Sequence, residues 1–208
     1  MKKYKIIYAD PAWEYKTFSK KGQTKANGGV IANYNTMSIE NIKNLPIHKI
    51  TDEKCILFLW TTSPMLQQSF EVIKAWGFIY KLVGFVWIKL NPTGKIIYNN
   101  KNIILEKGIY SGMGHWVNTN AEFCLIATKD KFPSRIKKNV KQIVLAPRGK
   151  HSVKPAEVRD RIISLVGDIS RIELFARQKT EGWDIIEGKD NADGSGQDII
   201  DWINKNYE

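Results

Sequence analysis

Apolar and polar positions alternate in blocks along the chain. Short, nearly continuous apolar runs bounded by turn residues read as buried strands. They fall at roughly Tyr4–Ala9, Cys55–Trp60, Leu82–Ile88, Glu122–Thr128, Gln142–Leu145 and Arg171–Ala176. Helical spacing lies between them. Ser63-Pro64 offers a cap followed by a proline in the first turn, Leu66, Phe70 and Ile73 mark one face, and Gly77 supplies a stop. A second helix begins near Pro155 and buries Val158, Ile162 and Val166, and a third runs from about Gln197 to Asn204. Buried strands alternating with helices predict an α/β fold, a mostly parallel sheet with helices on both faces. In such sheets ligands bind outside the carboxyl ends of the strands. No Gly-x-Gly-x-x-Gly follows any strand. Gly112-Met113-Gly114 is the nearest approach, and it reads as a flexible loop.

Composition changes this picture in three ways. Hydrophobic residues make up 43% of 208, enough for a sizeable core, and no repeat or linker divides the chain, so one domain spanning 1–208 is expected. The net charge is +11, which points to a polyanionic partner. The segment 129–150 holds eight basic residues against the single acid Asp130, or +7 of that +11. This clustering marks a phosphate-contacting surface, with Arg135, Lys137 and Lys138 as its candidates. Cys55 and Cys124 sit in apolar runs, outside any CxxC pair, and the three histidines are scattered, so no metal site is expected. Reduced thiols, an N-terminal apolar run cut short by Asp10 and the lack of a spanning stretch predict a cytoplasmic chain with no membrane partner.

Tyr8-Ala9-Asp10-Pro11-Ala12-Trp13 follows the first strand directly. It sets an acid, a rigid proline and an aromatic at a strand's carboxyl end. The exocyclic amine of adenine is a poor nucleophile, because its lone pair is delocalised into the ring. A carboxylate accepting one N6 hydrogen and a backbone carbonyl accepting the other would favour the positive charge that develops on nitrogen during attack. Asp10 and the Pro11 carbonyl can form this pair, and Trp13 can offer an extruded base a stacking platform.

Asp10-Pro11-Ala12-Trp13 resembles the Asp-Pro-Pro-Trp signature of the MT-A70 family of N6-adenine methyltransferases. That family includes the catalytic subunit of the eukaryotic messenger-RNA adenine methyltransferase and many bacterial and phage DNA enzymes. Further segments resemble family landmarks in order: Tyr34-Asn35-Thr36-Met37-Ser38, Leu57-Phe58-Leu59-Trp60, Val86-Trp87-Ile88-Lys89, Gly114-His115-Trp116, Glu122-Phe123-Cys124-Leu125, His151-Ser152-Val153-Lys154-Pro155 and Glu173-Leu174-Phe175-Ala176-Arg177. The resemblance implies a Rossmann-like methyltransferase fold in circularly permuted order, with the catalytic motif first and the cofactor strand near the C-terminus. It implies S-adenosyl-L-methionine as cofactor and methylation of N6 of adenine in nucleic acid. Asp10 and Pro11 would hold the target amine, Tyr34 would belong to a loop over the substrate, and Glu122 and Ser152 would face the adenosine. Lys154 would bind the cofactor's carboxylate and Arg177 its ribose, with Asp10 also near the cofactor. Asp190 and Asn191, aligned by Asp193-Gly194, would take the place of the family's ribose-binding amides. Ala12 replaces the second proline, which keeps the Pro11 carbonyl and loosens the loop.

The chain holds little beyond a catalytic core and a basic segment, without the long N-terminal regions of the messenger-RNA enzymes. That favours DNA over RNA and a bacterial or phage-infected cytoplasm. A homodimer or a partner subunit is left open. The competing readings are an RNA methyltransferase and a catalytically inactive subunit that binds nucleic acid. Asp10 and Lys154, both present, weigh against the second.

Overall fold

The structure, a computed structural model, describes residues 2–14, 36–93, 95–99, 102–106, 108–112, 114, 116–149, 153–176, 178–187 and 197–207. In chain order the elements are β1 (Tyr4–Ala9), α1 (Ile39–Lys43), β2 (Thr51–Thr61), α2 (Leu66–Ala75), β3 (Ile79–Leu90), β4 (Lys95–Asn99), β5 (Asn102–Glu106), β6 (Ala121–Thr128), β7 (Ile143–Pro147), α3 (Ala156–Val166), β8 (Arg171–Ala176), β9 (Asp184–Glu187) and α4 (Gln197–Tyr207).

Among the described residues the main sheet has the order β7-β3-β6-β2-β1-β8-β9. β1 pairs in parallel with β2 and β8, β8 with β9, and β3 with β7. β6 alone is opposed, antiparallel to both β2 and β3. The fold is the expected mostly parallel, Rossmann-like α/β arrangement, with β4 and β5 as a separate antiparallel pair. All six expected strands form. α1, a single turn capped by the Ser38 hydroxyl, the four-residue β9 and the β4–β5 pair are too short for periodicity to have marked them.

Pleat alternation divides the sheet's side chains between two cores. Ile7, Ala9, Leu57 and Leu59 pack under α1, α2 and α4, through Ile42, Val72, Ile73, Ile199 and Ile203. Ile6, Tyr8, Ile56, Phe58, Trp60, Phe85, Trp87 and Cys124 pack under α3, through Val158, Ile162 and Val166. The face of α2 differs from its expected one. Ser69, Val72 and Ile73 are buried, while Phe70 is partly exposed against Tyr80, with ring centroids 4.9 Å apart. The Ser69 hydroxyl can be buried because it bonds to Thr61 Oγ1 and the Met65 carbonyl, at 2.6 and 2.7 Å.

Candidate active site

β1 lies at the point where strand order turns, with β2 on one side and β8 on the other. Such a switch point opens a crevice at the carboxyl ends of the strands. The α3-side stripe of three strands ends there in a charged residue. On β1 the sequence Ile6, Tyr8 continues to Asp10, on β3 Phe85, Trp87 continues to Lys89, and on the reversed β6 Ile126, Cys124 runs back to Glu122. Because β6 is antiparallel, its first residues meet the last residues of its neighbours, and Glu122 pairs in register with Trp87. The same alternation that fills the core therefore delivers two carboxylates and an ammonium to one edge.

The segment leading into α3 brings the fourth group. Lys154 Nζ stands 2.6 Å from Asp10 Oδ2 and 3.2 Å from Glu122 Oε2, and Lys89 Nζ stands 2.5 Å from Glu122 Oε1. The Trp60 ring lies beneath Lys154, 5.5 Å from Nζ to the centroid. The result is a chain of alternating charge, Asp10–Lys154–Glu122–Lys89. Burial alone would push the Glu122 carboxyl up, but Lys154 and Lys89 outweigh it and hold it below the usual carboxylate range. Burial alone would lower the Lys154 ammonium, yet Asp10 and Glu122 raise it, so it stays charged. Lys89 was not foreseen as part of this site. Its signal was its place two residues beyond the buried Trp87.

A second buried pair stiffens the floor. Arg159 of α3 donates two bonds to Glu173 of β8, at 2.8 and 2.6 Å, and its guanidinium lies 5.2 Å from the Tyr8 ring centroid. Glu173 and Tyr8 are register partners. The Tyr8 hydroxyl accepts from Trp60 Nε1 at 2.7 Å, so Trp60 is scaffold. Beside this pair a cleft is lined by Asp10, Val153, Lys154, Phe175 and Gln178. Phe175 takes φ 63°, a conformation that a bulky residue rarely adopts, where the β8–β9 register slips between Leu174 and Ala176.

The motif's other members are placed as follows. The Pro11 carbonyl accepts the Trp13 amide at 2.8 Å, closing a tight turn, and a carbonyl oxygen has capacity for a second donor. Trp13 departs from its expected role. Its side chain is 5% exposed, and Nε1 donates to the Trp60 carbonyl at 3.0 Å. A ring so enclosed anchors the turn to β2 and presents no face to an incoming base. Arg135, Lys137 and Lys138 are not brought to Asp10. β6 runs away from the site, and the loop after it lies at the opposite edge, where the Ile136 amide bonds to Leu165. From Glu122 to Thr128 is about 20 Å of strand. Arg148, in the same basic segment, does return to the edge that holds Lys89 and Glu122, its amide bonded to the Leu90 carbonyl and its side chain to the Tyr110 hydroxyl. Tyr34, Ser152, Arg177, Asp190 and Asn191 lie outside the described residues.

The cleft carries an ammonium and a carboxylate at a switch point. These are the charges that an amino-acid moiety such as that of S-adenosylmethionine requires, so the residues present fit that group. Among the described residues there is no group of three or more His, Cys, Asp or Glu that could hold a metal ion. No helix among them is long and apolar enough to cross a membrane.

The MT-A70 family model matches residues 4–189. The chain is 34% identical over 196 residues to the type II methyltransferase M.MunI of a Mycoplasma species, covering 88% of this chain and 76% of that protein. It is 25% identical over 176 residues to the N(6)-adenosine-methyltransferase MT-A70-like protein of Drosophila melanogaster, covering 84% of this chain and 24% of that protein. It is likewise 25% identical over 176 residues to the human N(6)-adenosine-methyltransferase catalytic subunit METTL3, covering 84% of this chain and 26% of that protein.

Proposed function

Since the chain belongs to the MT-A70 family, we propose that it methylates N6 of adenine in DNA, with Asp10 and the Pro11 carbonyl as the pair that holds the target amine. It is an S-adenosylmethionine-dependent methyltransferase, and residues 1–208 are read as one such domain. The observation that carries the site assignment is the convergence of Asp10, Lys154 and Glu122 at the carboxyl edge beside β1. DNA is favoured because the match to a type II methyltransferase covers most of both chains, whereas the adenosine methyltransferases are matched over about a quarter of their length. The reading places the enzyme in a bacterial or phage-infected cytoplasm.

The cofactor supplies an electrophilic methyl group on a sulfonium. The protein's part is to aim the nucleophile. Asp10 and the Pro11 carbonyl each accept one N6 hydrogen, which turns the lone pair out of the ring plane and favours the charge that develops on nitrogen. Asp10 is also the acceptor placed to take the surplus proton. Lys154 fixes the direction of Asp10 through a charge-assisted bond and offers its ammonium to the cofactor's carboxylate. Lys154 and Lys89 keep Glu122 ionised, so it meets the adenosine as an acceptor. Tyr34 and Ser152 are assigned to the adenosine, and Arg177, Asp190 and Asn191 to the cofactor's sugar. Arg135, Lys137 and Lys138 are assigned to the nucleic-acid backbone.

Mass spectrometry of nucleosides from DNA and from RNA, each incubated with the protein and S-adenosylmethionine, tests this reading. N6-methyldeoxyadenosine is expected from DNA. A methylated adenosine from RNA alone would transfer the activity to RNA, and neither product would sink the proposal.

A further inference from the structure

The α3 side of the sheet holds a second, larger concavity at the edge away from Asp10. It is a preformed pocket of about 530 Å³. Ile56 of β2, Phe85 of β3 and Ile126 of β6 form its floor, and Leu165 near the end of α3 forms one wall. The other wall is the loop after β6, which carries Phe132. That loop is pinned along its length. The Ile136 amide bonds to the Leu165 carbonyl at 2.8 Å, and Arg161 of α3 holds the Lys141 and Ile143 carbonyls at 2.6 and 2.8 Å. Gln142 Nε2 donates to the Val83 carbonyl at 2.6 Å. An apolar mouth is left open to solvent, with Phe132 52% and Leu82 49% exposed.

The rim decides what such a pocket attracts. Lys81, Arg135 and Lys138 line it, and among the described residues no carboxylate does. Lys137 and Lys141 extend the positive strip along the same loop. A second copy of the chain would bring the same cations face to face, which disfavours self-association through this surface. Apolar floor, exposed aromatic edge and cationic rim together suit an unstacked nucleotide, with a flat base inside and phosphates outside.

We propose that this pocket is a second nucleic-acid subsite, taking one unstacked base of the substrate strand against Phe132 while Lys81, Arg135 and Lys138 hold its flanking phosphates. The assignment rests on the reading of the chain as a nucleic-acid enzyme, and it gives the basic loop a role remote from the chemistry. Its floor begins at Phe85, opposite Cys124, and its far end at Thr128 lies about 20 Å from Glu122 along β6.

Fluorescence anisotropy with a single-stranded thymidine dodecamer tests it, because that probe offers no adenine to the catalytic edge. Phe132→Ala should weaken binding at fixed salt by at least about fivefold, the lower end of the loss of one stacked base, and Phe132→Tyr should restore it. The Phe132→Ala salt slope should match wild type, while the combined Lys81, Arg135 and Lys138 to Ala variant should lower it by two to three, about one per lost phosphate contact. Phe132 is exposed on a loop, and unchanged S-adenosylmethionine affinity certifies each variant's fold. Equal dodecamer affinity for wild type and Phe132→Ala would overturn the proposal. So would absence of binding by the wild type, binding only to phosphatidylglycerol vesicles, or a wild-type dimer in sedimentation that Phe132→Ala dissociates without changing affinity. The probe is never methylated, so failure of the methylation assay would count against the proposed function and leave this result standing.

Discussion

Lys154 Nζ lies 2.6 Å from Asp10 Oδ2, across 144 residues of sequence, and this contact joins the two halves of the site. One half is the motif at the end of β1. The other is the segment before α3. Between them the ammonium answers both Asp10 and Glu122, so two carboxylates share one edge without leaving an uncompensated buried charge.

Asp10→Ala is expected to lower methyl transfer at saturating cofactor by about 10²–10³, the usual loss for one preorganised electrostatic partner, while the protein stays folded. Asp10→Asn keeps one acceptor oxygen and loses the charge, so the order of rates is wild type, Asn, Ala. A Asp10→Ala rate above about a tenth of wild type, far short of that loss, would remove Asp10 from the mechanism.

Glu122 sets part of the acid sensitivity. Its folded carboxyl is held below the ordinary value, so it stabilises the fold above the unfolded pKa, and this contribution is lost as pH falls through the lower folded value. Glu122→Gln should flatten the decline of unfolding free energy on the acid side of about pH 4.5, followed by urea denaturation from pH 7 to pH 3. An equally steep decline in the variant would show that the pair does not act on stability.

Arg159→Met leaves Glu173 buried without its partner and should cost about 3–5 kcal/mol. Arg159→Met with Glu173→Leu should cost less than the two single changes summed. A double-mutant cycle by chemical denaturation reads the coupling, and additive losses would deny it.

S-adenosylmethionine or its demethylated product should bind the chelator-treated protein with unchanged affinity, since the cleft offers an ammonium and a carboxylate and the described residues offer no metal cluster. Calorimetry before and after chelation checks this, and restoration of lost binding by added divalent metal would contradict it.

Replacing Arg135, Lys137 and Lys138 together with Ala should weaken nucleic-acid binding, lower the log–log salt slope by about one per lost phosphate contact, and leave cofactor affinity intact. An unchanged slope would mark the loop as a solvated face.

Six of the nine strands, three of the helices, the Asp10-Pro11-Ala12-Trp13 turn after β1 and the positive charge of residues 129–150 were legible in the sequence, because alternation, turn residues and charge are properties of neighbouring positions. Strand direction is not such a property. A stripe of apolar residues looks the same read from either end, so nothing local showed that β6 runs antiparallel. That single reversal carries Glu122 to the edge where Asp10 lies, joins it to Lys89 and Lys154, and sends Arg135, Lys137 and Lys138 to the far one. Trp13 makes the same point at the scale of one residue. Its neighbours suggest a ring beside the acid, but whether that ring faces a base or the core is decided by the Trp60 carbonyl it reaches, 47 positions away. Hydrogen bonds and ion pairs of this reach form only when the packed sheet brings their partners together, and there the tertiary structure alone decides.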